Sequence, residues 1–416
     1  MIKNLQYYVR NGIIIQYKTR GEAHLVLSRE EEVKRMKNLR RVLYLFVAIS
    51  MILCVSACAK KADENETSTF ETVELDTKEE VTTEEKKEEP KVPANINPLT
   101  GLACDESLVG QRPIGFMFNN IRQALPQVGI SKCDILYEVL AEGGIVRFEG
   151  LIFDYANAGN LGSVRSSRPY YINIARAYDA IYVHAGCSNE ASDLLRSSGI
   201  DHFDGVGGAF GCGNHNHYNF SVNGKMLYWR DQGRINNGYS LEHTMFSNGA
   251  LISEAVGIRG FRKTLNDPFF TAFNFDNEFK TLGTGKTANY IKIPQSTYYL
   301  SEFNYDAATG LYAHKQYGQK HIDGGTGEQL KFDNVFILFA QESIMSNGKT
   351  LEINLTGEGK GYYANGGEYV DIIWKRADDN SPFKYYTTDG NELKVDTGKS
   401  YVSIFDVKNA SAVAFS

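Results

Sequence analysis

No apolar run in this 416-residue sequence reaches the roughly 20 residues that a membrane-spanning helix needs. The strongest, from Val42 to Ala57, is too short to remain as a span. Cysteine is sparse: beyond that run and Cys58, which follows it, only Cys104, Cys133, Cys187 and Cys212 remain, in no regular spacing, which excludes a disulfide-built scaffold. No basic run follows the signal region and the net charge is −6, so nucleic acid is not an expected partner. No HExxH, Cys-x-x-Cys or GxSxG pattern occurs, no internal repeat is visible, and no cofactor is implied.

What is present starts at Cys58. Lys37, Arg40 and Arg41 supply a positive flank, LFVAISMILCVSAC supplies the apolar stretch, and Ser56 and Ala57 are the small residues before the cysteine. This pattern predicts a lipoprotein signal over 36–58, cleaved ahead of a diacylglyceryl-modified Cys58 whose new amino terminus is then acylated. The mature chain is therefore expected on the outer face of the cell membrane, held by lipid. An uncleaved signal anchor would leave it on the same side. Residues 1–35 carry no signal character and read as an over-extended start ahead of Met36, with a structured tail as the competing reading.

From 59 to 93 the chain is Glu, Lys and Thr with almost no large apolar residue, so it cannot build a core and is expected to be a disordered acidic tether. The remainder divides into an α/β domain over 94–268 and a mostly antiparallel β domain over 269–416, α+β overall. In the first, PIGFMFNN reads as a buried strand, and DILYEVLA with IVRFEGLIFDY reads as a strand pair turning at Gly143 and Gly144. Pro169 opens a helix with Tyr171, Ile174, Ala175 and Tyr178 on one face; AIYVHAG is a strand; NEASDLLRSSG is a helix closed by Gly199. The second domain alternates short runs with turns expected at Asn347-Gly348, Asn365-Gly366 and Asp389-Gly390, as in a small barrel or sandwich. A single intimate α+β fold is the alternative.

Several of these segments carry a resemblance: NPLTGL at 97–102, RPIGFMFNN at 112–120, ALPQVGISKCDILYEVLAEGGIVRFEGLIF at 124–153 and GSVRSSRPYYINIARAYDAIYVHAG at 162–186. With TGEQLKFDNVFIL and GKGYYANGGEYVDIIWKR further on, the chain resembles the YerB-like lipoproteins of Gram-positive bacteria, over nearly everything after the tether. The resemblance implies a lipid-anchored protein made of an amino-terminal and a carboxy-terminal domain, and brings no activity with it. The stretch from Val206 to Asn219 departs from the family's usual sequence.

The best candidate site gathers Glu142, Arg147, Arg165, Arg168 and His184. Arg165 and Arg168 stand in the loop entering the Pro169 helix, where free backbone amides favour an anion and guanidinium groups can grip phosphate or carboxylate bidentately. His184 is expected at the carboxyl end of its strand, where open α/β sheets bind ligands. Three functions follow: a binding module for an anionic envelope ligand or a membrane protein partner, a hydrolase using Glu142 and His184 as acid and base, or a scaffold in which the arginines only fix loops. A weaker set, His184, Cys187, Cys212, His215 and His217, has zinc-ligand types without a zinc signature. Four thiols are the default state, with a Cys187 to Cys212 bond as the alternative. GTGKT at 283–287 and NGKT at 347–350 imitate a phosphate loop but have Lys280 and Ser343 where its first glycine belongs, and SPFK at 381–384 matches Ser-x-x-Lys by letters only.

Overall fold

The computed structural model describes three short strands, Tyr7–Arg10, Ile13–Tyr17 and Ala23–Val26, and then residues 95–416 apart from 208–210, 213–216, 218 and 280. The three strands pair antiparallel in sequence order. Cys58, its apolar run and the acidic tether lie outside the described residues. Among the described residues no helix is long and apolar enough to cross a membrane.

From residue 114 onward the chain is organised by one long mixed sheet. Its amino-terminal strands are β1 (Ile114–Phe118), β2 (Ile135–Leu140), β3 (Val146–Ile152), β4 (Ile181–His184) and β5 (His202–Asp204), with helix α1 (Pro169–Ala177) before β4, α2 (Asn189–Ser198) before β5 and α3 (Gly249–Arg259) after it. Its carboxy-terminal strands are β6 (Asn334–Ile344), β7 (Gly357–Asn365), β8 (Glu368–Arg376), β9 (Lys384–Thr387) and β10 (Ser400–Asp406). The order across the sheet is β9-β8-β7-β6-β10-β2-β3-β1-β4-β5.

Local signals account for the elements. Pro169 stands in the first turn of α1. The Ser188 hydroxyl accepts from Ala191 N to cap α2, which ends at left-handed Gly199. β2 and β3 pair antiparallel, Leu140 opposite Val146, around Gly143 and Gly144, both at positive φ. The β7-β8 hairpin pairs Asn365 with Glu368, so its two-residue turn is Gly366-Gly367, one residue beyond the expected pair; both have positive φ, which matches strand twist.

Alternation along each strand splits the apolar residues between two cores. Ile114, Phe116, Phe118, Leu136, Phe148, Ile337 and Tyr401 face one side, under α3 and a smaller antiparallel sheet containing Tyr290–Ile293, Ser301–Asp306 and Leu311–Gln316. Met117, Tyr137, Val139, Leu151, Phe336 and Val402 face the other, under α1 and α2. The fit is tight at Gly150, where a Cβ would fall 2.2 Å from the Cys133 sulfur.

The α/β region followed by a mostly antiparallel region is as the sequence predicts. The second region does not close into a barrel or a separate sandwich. Instead β10 lies between β6 and β2, parallel to both, so one sheet runs through residues from both sides of position 268. YVSIFD can do this because it is buried on both faces, which a central strand requires.

Candidate functional site

The loop from Ser163 to Arg168 is stitched across the carboxyl ends of β1 and β4. Arg165 N donates to Met117 O at 2.9 Å, Ala185 N donates to Arg165 O at 3.1 Å, and Ser167 N donates to Gly186 O at 2.9 Å. Arg147, at the start of the neighbouring β3, is 8% exposed and donates from Nη1 to Ser166 O at 2.7 Å. Three guanidinium groups thus share one place. Burial pulls the Arg147 pKa down, and the charges of Arg168 and Arg165 add to that pull.

Arg168 is already occupied. Its Nε and Nη2 meet the two Glu142 oxygens at 2.6 and 2.7 Å and its Nη1 meets Ser167 O at 2.6 Å. Burial opposes the Glu142 charge, but the Arg168 hydrogen bond and charge overcome it and hold the carboxyl below its usual range. Among the described residues the Arg165 guanidinium has one ion-pair contact, loose and partly exposed, with Glu242 at 3.5 Å. Arg147 has no carboxylate partner among the described residues; Glu149, on the same face, is fully buried, and burial pushes its carboxyl far up, so it stays neutral.

His184 does not join them. It lies at the carboxyl end of β4 as expected, but is fully buried between the rings of Tyr182 and His202, at 5.0 and 5.3 Å. Its Nδ1 sits 3.1 Å from Gly186 O, which can only accept, so Nδ1 carries the proton and Nε2 accepts from His202 Nδ1 at 3.1 Å. Burial lowers its pKa, leaving a neutral core histidine. No hydrogen bond or ion pair joins it to Glu142 among the described residues.

Cys187 and Cys212 form a disulfide, which corrects the default of four thiols and removes both sulfurs from any zinc set. His217 is buried against Phe203 and Phe220 at 5.0 and 5.5 Å, and His215 lies outside the described residues. Among the described residues no cluster of three or more His, Cys, Asp or Glu could hold a metal.

Two family models match this architecture: the DUF3048 amino-terminal domain, described as a protein of unknown function, over 99–262, and the DUF3048 carboxy-terminal domain over 290–402. The chain belongs to the YerB-like family. It is 27% identical over 323 residues to the "Putative lipoprotein YerB" of Bacillus subtilis (strain 168), covering 76% of this chain and 88% of the relative. The crystal structure of that YerB protein matches with a TM-score of 0.63 at 26% identity, over 77% of this chain and 99% of the other.

This YerB-like chain contains a second polar array that no sequence motif announces, on the opposite face of β2. Gln127 Nε2 donates to Asn119 O and Asn120 Oδ1 at 3.0 and 2.8 Å, so its Oε1 must accept from His321 Nε2 at 3.0 Å. His321 Nδ1 then accepts from His314 Nδ1 at 2.8 Å, and His314 Nε2 accepts from Ser301 Oγ at 2.7 Å. Ser301 Oγ lies 3.2 Å from Tyr401 Oη, and Tyr401 Oη donates to Glu138 Oε2. Glu138 Oε1 accepts from Gln295 and Ser403, both at 2.9 Å. Burial raises the Glu138 pKa and pushes that of His321 down to about 3. Ser301 and His314 have the contact of a nucleophile and its base, yet both are fully buried, so this is a structural relay. The available signal was a glutamate inside an apolar strand and two histidines on one hairpin.

The loop-like motifs are turns. Glu368 fills the GTGKT loop itself, accepting from Thr281 Oγ1, Thr284 N and Gly285 N at 3.0, 3.3 and 3.2 Å. Asn347 Oδ1 accepts from Lys349 N and Thr350 N, both at 2.9 Å, in NGKT. In SPFK, the Ser381 carbonyl is held by Arg376 Nε at 2.8 Å and Phe383 is buried.

Proposed function

We propose that this YerB-like chain is a lipoprotein of the outer face of the cell membrane, carried on a lipid at Cys58 and an acidic tether. Its arginine cluster takes an anionic component of the envelope. Arg147 carries the reading: a cation 8% exposed with one hydrogen bond, to Ser166 O, and no carboxylate partner among the described residues. An unpaired buried charge is costly, and a phosphate or carboxylate reaching between Arg147 and Arg165 would offset that cost. Arg168, clamped by Glu142, would position the site and not the ligand. The hydrolase reading draws no such support, because His184 has both ring nitrogens engaged in the core.

Inorganic phosphate or acidic wall fragments, added at about 100 times their dissociation constant, should raise the unfolding free energy by about 2.7 kcal/mol in a thermal-shift assay. Arg165→Ala should erase that gain while leaving the ligand-free melting temperature nearly unchanged, since among the described residues its guanidinium makes only the loose Glu242 pair. A flat response to every anion tested would sink the reading. For the anchor, Cys58→Ala should move the protein from the membrane fraction to the medium; retention in the membrane would mean that something other than the lipid holds it.

A further inference from the structure

A cavity lies at the other end of the strands from the arginine cluster. It measures about 640 Å³, within the range of small-molecule sites. Cys133, Phe332 and Lys399 line it, and each stands just ahead of β2, β6 or β10, the three neighbouring parallel strands. Both family regions contribute walls, 130–133 from one and 326–332 with Lys399 from the other.

Its floor is apolar: Ile130, Cys133, Leu330 and Phe332 are each at most 3% exposed. Its rim is cationic. Lys132 and Lys331 are exposed, and half-buried Lys399 donates from Nζ to Ser131 O. None of the three has a carboxylate ion pair among the described residues, and the one acidic side chain in the lining is exposed Glu328. Asp323 is saturated by the turn and by its own loop, accepting from Gly129 N, Ser131 N, Ser131 Oγ and Gly325 N at 3.0, 2.8, 2.6 and 2.7 Å. Asp134 is likewise held, by Asn97 Nδ2 at 2.9 Å and Phe153 N at 2.7 Å. The turn that carries Ser131 and Lys132 is therefore held in place, and the Lys399 ammonium, which donates to Ser131 O, feels Asp134 and Asp333 only at a distance, without an ion pair among the described residues.

We propose that this cleft binds an amphiphilic anion, a phosphate or carboxylate head on an apolar body, with the head on Lys331 and Lys399 and the body on Leu330 and Phe332. Cations over an apolar floor select for a molecule with both parts, since a bare anion leaves the floor wet and a neutral amphiphile leaves the lysines unpaired. The site is separate from the arginine cluster.

Octyl phosphate below its micellar concentration, titrated calorimetrically into the full chain carrying Arg165→Ala so that the arginine cluster does not contribute, should bind at least tenfold more tightly than inorganic phosphate or octyl glucoside. In that background Lys399→Gln and Lys331→Gln should each weaken it several-fold or more. Lys331 is exposed, so its variant tests the idea even if Lys399→Gln disturbs the Ser131 turn. Equal binding of inorganic phosphate would overturn the role of the floor, and equal binding of octyl glucoside that of the lysines. Binding untouched by both lysine variants would overturn the location while leaving the arginine reading standing. No binding of octyl phosphate would overturn the proposal outright.

Discussion

Glu138→Gln should leave the fold almost untouched, whereas Glu138→Ala should cost about 3–5 kcal/mol in urea unfolding near neutral pH. The difference follows from what each side chain leaves behind. Glutamine has the same shape, its carbonyl can still accept from Gln295 and Ser403, and its amide can meet Tyr401 Oη, whose hydroxyl is then free to turn to Ser301. Alanine leaves buried polar groups on two elements, β10 and the segment after Tyr290–Ile293, without partners, together with a void.

Burial of the same carboxyl sets a pH dependence. Glu138 has its folded pKa raised by burial, so its contribution to stability is fully present below the unfolded value and is lost as pH rises through the folded one. Glu138→Gln cannot titrate. The unfolding free energy of the variant should therefore gain on that of the wild type as pH climbs above about 4, the unfolded carboxyl value. The depressed His314 and His321 are present in both proteins and cancel in the difference. A difference that stays flat with pH, or a Glu138→Gln variant as unstable as Glu138→Ala, would refute this reading of Glu138.

Removing the disulfide is the second large effect. Cys187 and Cys212 are 25 residues apart, and closing a loop of that length restricts the unfolded chain by about 3 kcal/mol. Cys187→Ser combined with Cys212→Ser should lower stability by that amount, and dithiothreitol should do the same to the wild type. Backbone order should also suffer, because the bond fixes Cys212, whose amide donates to Asp204 Oδ2 at 2.7 Å. Asp204 also accepts from Gly186 N at 2.8 Å and Val206 N at 3.0 Å, so the loss would be felt at the edge where the arginine loop runs. Unchanged urea midpoints in the double variant would show that the bond adds nothing to the fold.

How much of the site was legible depends on the range of the interactions. Arg165 and Arg168 sit within one loop ahead of a proline-opened helix, and Arg147 follows a glycine turn, so their common location at the sheet edge could be read from order alone. The inward turn of His184 could not, because its partners Gly186 and His202 are fixed by the packing of β4 on β5. The relay was invisible for the same reason: Tyr401 and Glu138 are 263 residues apart and meet only because β10 lies beside β2. The paired thiols and the Glu368-filled loop were likewise decided by neighbours distant in the chain.

From the sequence by itself came the short apolar run ending at Cys58, the acidic composition of 59–93, the order of strands and helices, the helix boundaries at Pro169 and Gly199, and the family resemblance. Each is set by composition or by contacts within a few residues, where periodicity, capping and turn chemistry act. Only the tertiary structure decided that the two family regions share one sheet, that Arg147 is buried without an ion pair among the described residues while Arg168 is clamped, and that a lysine-rimmed cleft opens between 130–133 and 326–332. Strand periodicity says which face a side chain takes but not which strand will lie beside it, and burial, pairing and proton position all depend on that neighbour.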